Sequence, residues 1–178
     1  MTTHNYYKLI LISLIIIFTA NFISFKVSQR QARDRQRVLD IGNMETAAIK
    51  YKAQFGFYPP SKDGRFFACM NNDVDLKTLE KIKSQKIIGL ARVKLIARTC
   101  DWGVDYLGDI DDASAPRYLD PIPTDPQSFK GLEYKYESDG VSFNIYVHLE
   151  GKVDEVILQD LKEKIMCGDK QCNLVRKP

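Results

Sequence analysis

No aspartate or glutamate occurs between Tyr6 and Phe25, and no glycine occurs before Gly42. From Val27 to Phe55 there is no proline and a single glycine, Gly42. Without these residues nothing in the first third of the chain interrupts a helix, since one interior glycine costs only about 1 kcal/mol against alanine. A phosphate-binding glycine loop, a dinucleotide fingerprint and a nucleophile elbow are also absent, which removes the sequence basis for nucleotide-dependent or serine-hydrolase chemistry. The two histidines, His4 and His148, sit in no nucleophile motif. No low-complexity tract, long linker or internal repeat divides the chain. The net charge of +3 is mild, and basic residues are not interleaved with aromatics, so no nucleic-acid partner is expected. Part of the basic excess is local, in Lys26 to Arg37 and at Arg176-Lys177, and the first cluster suits a helix face lying on anionic lipid.

What is present begins with a greasy segment. Tyr6 to Phe25 contains the run Leu9-Ile10-Leu11-Ile12-Ser13-Leu14-Ile15-Ile16-Ile17-Phe18 and a single lysine, Lys8. Twenty residues make a helix of about 30 Å, the thickness of bilayer hydrocarbon. Tyr6, Tyr7, Lys8 and Lys26 stand near its ends, where aromatic rings and snorkelling lysines settle. Ala20 is followed by Asn21 and bulky Phe22, with no small-residue cleavage pattern, so a retained anchor is expected over a cleaved signal. The expected division is a tail over 1–5, a transmembrane helix over 6–25 and a globular domain over 26–178. That domain is large enough for one modest core.

The helix is expected to continue into water through 27–55. Val38, Ile41, Met44, Ala48, Tyr51 and Phe55 recur at spacings of three and four, one apolar packing face. Asp34, Arg37, Asp40, Lys50 and Lys52 are assigned to the opposite, solvated face. Gly56 and Pro59-Pro60 stop the helix. Lys62-Asp63-Gly64 reads as a turn, and Asp75 as the N-cap of a short helix containing Leu76, Leu79 and Ile82. Ile87 to Ala97 either extends that helix or begins another. Four prolines between Pro116 and Pro126 force an extended loop. Leu132, Tyr134 and Tyr136 alternate, Ser138-Asp139-Gly140 turns, and Val141, Phe143, Ile145, Val147 and Leu149 alternate again, a hairpin signal. Val153 to Leu158 reads as a third strand or the start of a helix. The fold class is therefore α+β: a long helix, transmembrane and then amphipathic, packed on a small antiparallel sheet.

The four cysteines are Cys69, Cys100, Cys167 and Cys172. Four cysteines allow three pairings, and sequence alone does not choose. Proximity favours Cys69 with Cys100 and Cys167 with Cys172. A four-thiolate zinc site and free thiols are the alternatives, although the first two cysteines have no near neighbour of the kind zinc knuckles use. An even number in a small anchored domain favours disulfides and an extracytoplasmic location. The basic flank from Lys26 to Arg37, read by the positive-inside rule, argues for the cytoplasm instead. The cysteine argument is taken as the stronger. The acidic residues Asp105, Asp109, Asp111 and Asp112 read as a solvated turn, because the calcium-loop glycine and glutamate positions are not filled. Trp102, the lone tryptophan, is expected in the core, with a contact anchor for a partner as the alternative. No metal, cofactor or catalytic constellation is expected.

Several motifs together resemble the pilin-like proteins of type II secretion systems and type IV pili. Ala32 to Arg37, Asp40-Ile41, Met44-Glu45, Ala47-Ala48 and Tyr51-Lys52, closed by Gly56-Phe57-Tyr58-Pro59, resemble the second half of a pseudopilin helix and its stop. Tyr118-Leu119-Asp120-Pro121-Ile122-Pro123-Thr124-Asp125-Pro126 resembles the family's proline-and-acid loop before the sheet, and Tyr134 to Leu149 its first hairpin. The likeness covers about half of the chain and leaves out 66–110 and the tail after Gly151. It departs from the family at the start, where the peptidase glycine and the helix glutamate have no counterpart; the glutamate position falls near Tyr6. The resemblance implies a non-catalytic, membrane-anchored structural subunit, accessory or tip-located rather than a major filament subunit. Its partners would be membrane lipid and other pilin-like subunits or secretion machinery. The alternative is an anchored extracytoplasmic binding module that uses the 66–110 insertion.

Overall fold

The computed structural model describes residues 3–71, 73–110, 114–151 and 164–178. One helix, α1 (Thr3–Phe55), runs through the first third of the chain. Its 53 residues span about 80 Å. The described side chains between Tyr6 and Lys26 are exposed on every side, as expected of a helix whose partner is not its own domain. The helix is long and apolar enough to cross a membrane. Three polar side chains in this stretch turn back on their own backbone: Ser13 donates to the Ile10 carbonyl (2.7 Å), Thr19 to that of Ile15 (3.0 Å) and Asn21 to that of Ile17 (2.7 Å). Such bonds satisfy polar groups without water, which is what hydrocarbon requires.

Past Arg30 one side of α1 becomes buried. Ile41, Met44, Ala47, Ala48 and Tyr51 are enclosed, and Phe55 is partly so. Burying each large apolar side chain contributes about 1.5–3 kcal/mol. Gly56, at φ 82°, then ends the helix and returns its N–H to the Lys52 carbonyl. The chain that follows wraps the helix in small antiparallel pieces. β1 (Ser61–Lys62) pairs with β2 (Arg65–Phe66) around the Asp63-Gly64 turn. β3 (Cys69–Met70) pairs with β4 (Ala97–Arg98), bracketing two short helices. These are α2 (Leu76–Ser84) and α3 (Gly89–Ile96). The Asp75 carboxylate caps α2 by accepting the Thr78 N–H at 2.6 Å. Lys86 at φ 50° and Gly89 at φ 64° turn the chain between the helices, so Ile87 to Ala97 begins a second helix and does not extend the first.

The main sheet has three antiparallel strands in the order β5-β6-β9: β5 (Lys135–Ser138), β6 (Phe143–Val147) and β9 (Leu174–Arg176). Tyr136 faces Ile145 across the first pair. Phe143, Ile145 and Val147 point from β6 into the core beneath α1, with Tyr134 and Tyr136 beside them. The other face of β6 is covered too. Tyr146 packs on the Cys167–Cys172 loop, Ile165 and Val175, a second, smaller cluster. That loop carries the two-residue strands β7 (Met166–Cys167) and β8 (Lys170–Gln171). The third strand described is thus the C-terminal Leu174–Arg176; Val153 to Leu158 lies outside the described residues. Val141 stays in the turn and is exposed, because Asp139 captures its N–H at 2.8 Å before β6 begins.

Two expectations for α1 are corrected. Val38 is 45% exposed and does not belong to the packing face. Arg37 and Asp40, expected in solvent, are buried at 0% and 5% exposure. The inward stripe is 37, 41, 44, 48, 51 and 55, at four-three-four-three-four spacing, and a charged residue occupies its first place. Substitution should separate the two faces. In chemical denaturation, Met44→Ala is expected to cost about 2–5 kcal/mol, and Val38→Ala no more than about 0.5 kcal/mol.

Candidate interaction surface

Where α1 first meets the domain, its orientation is set by Arg37. An arginine carries five N–H donors, and all five are used here. Nε and Nη2 form a two-pronged bond to Asp125 at 2.8 and 3.0 Å. Nη1 donates to Asp34 Oδ1 and Glu150 Oε1, both at 2.8 Å. Nη2 also reaches Gln127 Oε1 at 3.2 Å. Arg33 adds a second fork onto Glu150, both contacts at 2.6 Å. Asp34 in turn accepts the backbone N–H groups of Glu150 (2.9 Å) and Gly151 (2.8 Å). One turn on, Asp40 accepts the Tyr134 hydroxyl and the Gln36 amide, each at 2.7 Å. The helix is therefore tied to the proline-rich loop, to the chain after β6 and to the start of β5.

Electrostatics follow the geometry. Burial lowers the basicity of Arg37, but the bonds from Asp125 and Glu150 outweigh it and hold its pKa above the ordinary value. The hydrogen bond from Arg33, with further help from Arg37, pulls the Glu150 carboxyl from 4.5 to about 2. Burial, and then the bond to Asp40, pushes the Tyr134 phenol well above its usual range.

The residues of the proline-and-acid loop divide by role. Asp125 is buried against Arg37. Leu119 is partly buried and bridges to Leu107, whereas Pro121 is exposed and follows a cis bond from Asp120. Pro123 and Pro126 are partly covered. At the other end of the helix Tyr58 and Pro59 are buried, and the Pro59 carbonyl accepts the Tyr136 hydroxyl at 2.8 Å. Cys69 is bonded to Cys100, and Cys167 to Cys172. The first bridge closes the 66–110 insertion onto the core; closing a loop of this size contributes about 3–4 kcal/mol in the chain-entropy picture. Asp105 is not a free member of an acidic turn. Burial raises its pKa, but the two-pronged bond from Arg98, at 2.7 Å each, lowers it further and leaves it below the ordinary value. Asp111 and Asp112 lie outside the described residues. Trp102 packs against the core beside Phe66 and Tyr134. His148 meets the Gln171 carbonyl through Nδ1 at 2.7 Å. No cluster of three or more histidine, cysteine, aspartate or glutamate side chains is placed to hold a metal among the described residues.

What remains is surface. Opposite the buried stripe, α1 presents Arg35, Leu39, Gly42, Thr46, Ile49 and Ala53 at four-three-four-three-four spacing, a second continuous stripe. Leu39 and Ile49 are exposed, and an open groove along Gln31, Arg35, Val38 and Leu39 adds apolar area. A Cβ placed on Gly42 would meet nothing within 4 Å. The helix therefore bears the cost of this glycine with no packing reason inside the described residues.

Compared with known protein families, curated proteins and solved structures, the chain matches none. The surface must be interpreted from its own chemistry.

Sequence reading missed Arg37, Asp34 and Glu150 as a unit. A usable signal existed: counting back from Ile41 by one turn places Arg37, not Val38, on the best-spaced stripe, and a charge on a buried stripe demands partners. Two outcomes follow. Arg37→Met leaves the buried Asp125 without its cation and removes one partner each from Asp34 and Glu150, and is expected to cost about 3–5 kcal/mol; Arg37→Lys restores little because a lysine cannot form the fork. For Glu150 the folded-state pKa is depressed, so its contribution is complete above 4.5 and is lost as pH falls through about 2. The melting temperature should drop across that window in the native protein, and drop less in Glu150→Gln.

Proposed function

We propose that this protein is a non-catalytic, membrane-anchored pilin-like subunit of a type II secretion or type IV pilus-type assembly, acting through protein–protein contacts along α1. The observation that supports this reading is the division of labour within one unbroken helix. Its first half is exposed and apolar all round, its second half buries one stripe on an antiparallel sheet, and the opposite stripe stays free. A helix with that free stripe is suited to lie against neighbouring helices of the same kind. Gly42 supports the same reading, since small residues let helix backbones approach closely. The two disulfides favour a domain on the extracytoplasmic side of the membrane, with the helix entering lipid below Lys26. The tight pinning at Arg37 would carry a push on the helix directly to the globular domain.

Cross-linking in native membranes tests the proposal. Cysteines introduced at Leu39 and Ile49 are expected to give adducts with pilin-like subunits, whereas one at the buried Ala47 position gives none. Gly42→Leu should leave the fold intact and abolish those adducts. A protein that remains monomeric at every expression level, or adducts unaffected by Gly42→Leu, would overturn the reading.

A further inference from the structure

The basic charge of the chain is concentrated in one short segment. Between Leu76 and Ile96 stand Lys77, Lys81, Lys83, Lys86, Arg92 and Lys94 against one acid, Glu80. Six bases and one acid give this segment +5, more than the +3 of the whole chain. The five lysines are exposed, and none forms an ion pair among the described residues. Elsewhere Arg33, Arg37, Arg65, Arg98, Arg117 and Arg176 are all paired with carboxylates.

Apolar side chains stand among these lysines. Leu76 is 77% exposed and Ile88 78%, with Leu79 and Leu95 also in water. Leu76, Leu79 and Lys83 share one side of α2; Arg92 and Leu95 share one side of α3, and Ile88 is the extended residue that precedes it. Between the two helices runs an open groove of about 550 Å³, lined by Leu79, Ile82, Ile87 and Ile88 together with Lys83 and Lys86.

The composition selects the partner. Protein–protein interfaces are enriched in aromatics and arginine and depleted in lysine. Single-stranded nucleic acids stack on aromatics. This segment contains no phenylalanine, tyrosine or tryptophan and five lysines. Mobile lysine charges around shallow aliphatic side chains instead match phosphate headgroups above acyl chains. We propose that the α2–α3 face docks on an anionic lipid surface, its lysines on the phosphates and Leu76 and Ile88 among the upper acyl chains. Leu90 and Phe57 both lie against Gly140, so α3 sits just beyond the end of α1. That is about 45 Å along the helix from Phe25, making this a second lipid contact distinct from the span. It does not depend on the pilin-like reading, which requires no lipid at this end.

The full-length protein, anchored by its own helix in phosphatidylcholine nanodiscs, is mixed with separate vesicles and floated. Vesicles rich in phosphatidylglycerol should be captured, and phosphatidylcholine vesicles should not. Replacing Lys77, Lys81, Lys83 and Lys86 by glutamate should weaken capture by at least ~10-fold, as should raising the salt concentration. Leu76→Ser with Ile88→Ser should weaken it with all charges retained. Both variants should keep their two disulfides and their melting temperature, since these side chains are exposed. Equal capture of both vesicle types, no capture, or capture unchanged in both variants would overturn the proposal. So would binding of soluble polyglutamate without binding of vesicles, which would assign the face to an acidic protein.

Discussion

A single guanidinium holds the architecture together. Arg37 is fully enclosed, and an enclosed charge is tolerable only when it is paired and every donor is bonded. Its partners come from three places far apart in sequence: Asp34 on the same helix, Asp125 and Gln127 in the proline-rich loop, and Glu150 just past β6. The arrangement contributes less to net stability than to geometry. Apolar contacts such as those of Met44 and Tyr51 would allow α1 to slide or rotate on the sheet. Five directed bonds to one side chain fix its register and its rotation.

That fixed register gives the rest of the molecule its meaning. Once Arg37, Ile41 and Met44 face inward, Leu39, Gly42 and Ile49 must face outward, and a second stripe is left without a partner. Likewise, the Cys69–Cys100 bridge and the β3–β4 pair hold the 66–110 insertion against the core, so α2 and α3 emerge beyond the end of α1. The protein thus has three surfaces of different chemistry along one axis: an apolar cylinder, a stripe of mixed small and apolar residues, and a lysine-rich tip.

Much of this was legible in the sequence because local patterns agreed with the global fold. The long helix, its stop at Gly56 and Pro59 and the Asp75 cap follow from periodicity and turn chemistry, as does the pairing of Lys135–Ser138 with Phe143–Val147 inside the alternating run from Leu132 to Leu149. Proximity in the chain favoured the Cys167–Cys172 bridge, five residues apart. The charged node was not legible in the same way. Its three carboxylates are contributed by segments about ninety or more residues from Arg37 or within one turn of it, and hydrophobic periodicity does not register a buried charge. Val38 is apolar and close to the right spacing, yet the residue that packs inward is its charged neighbour Arg37. The third strand escaped because Leu174–Arg176 is short and polar at its end, so no alternating run announces it.

The account rests on α1 being one rod from its apolar first half to the sheet. Spin labels at Phe22 and Ala53, in the full-length protein held in lipid nanodiscs, test this directly through their dipolar distance. An unbroken helix predicts one narrow distribution centred at about 46 Å. A broad distribution, or a peak shorter by 10 Å or more, would mean that the helix breaks between its apolar half and the half packed on the domain, and would contradict the account.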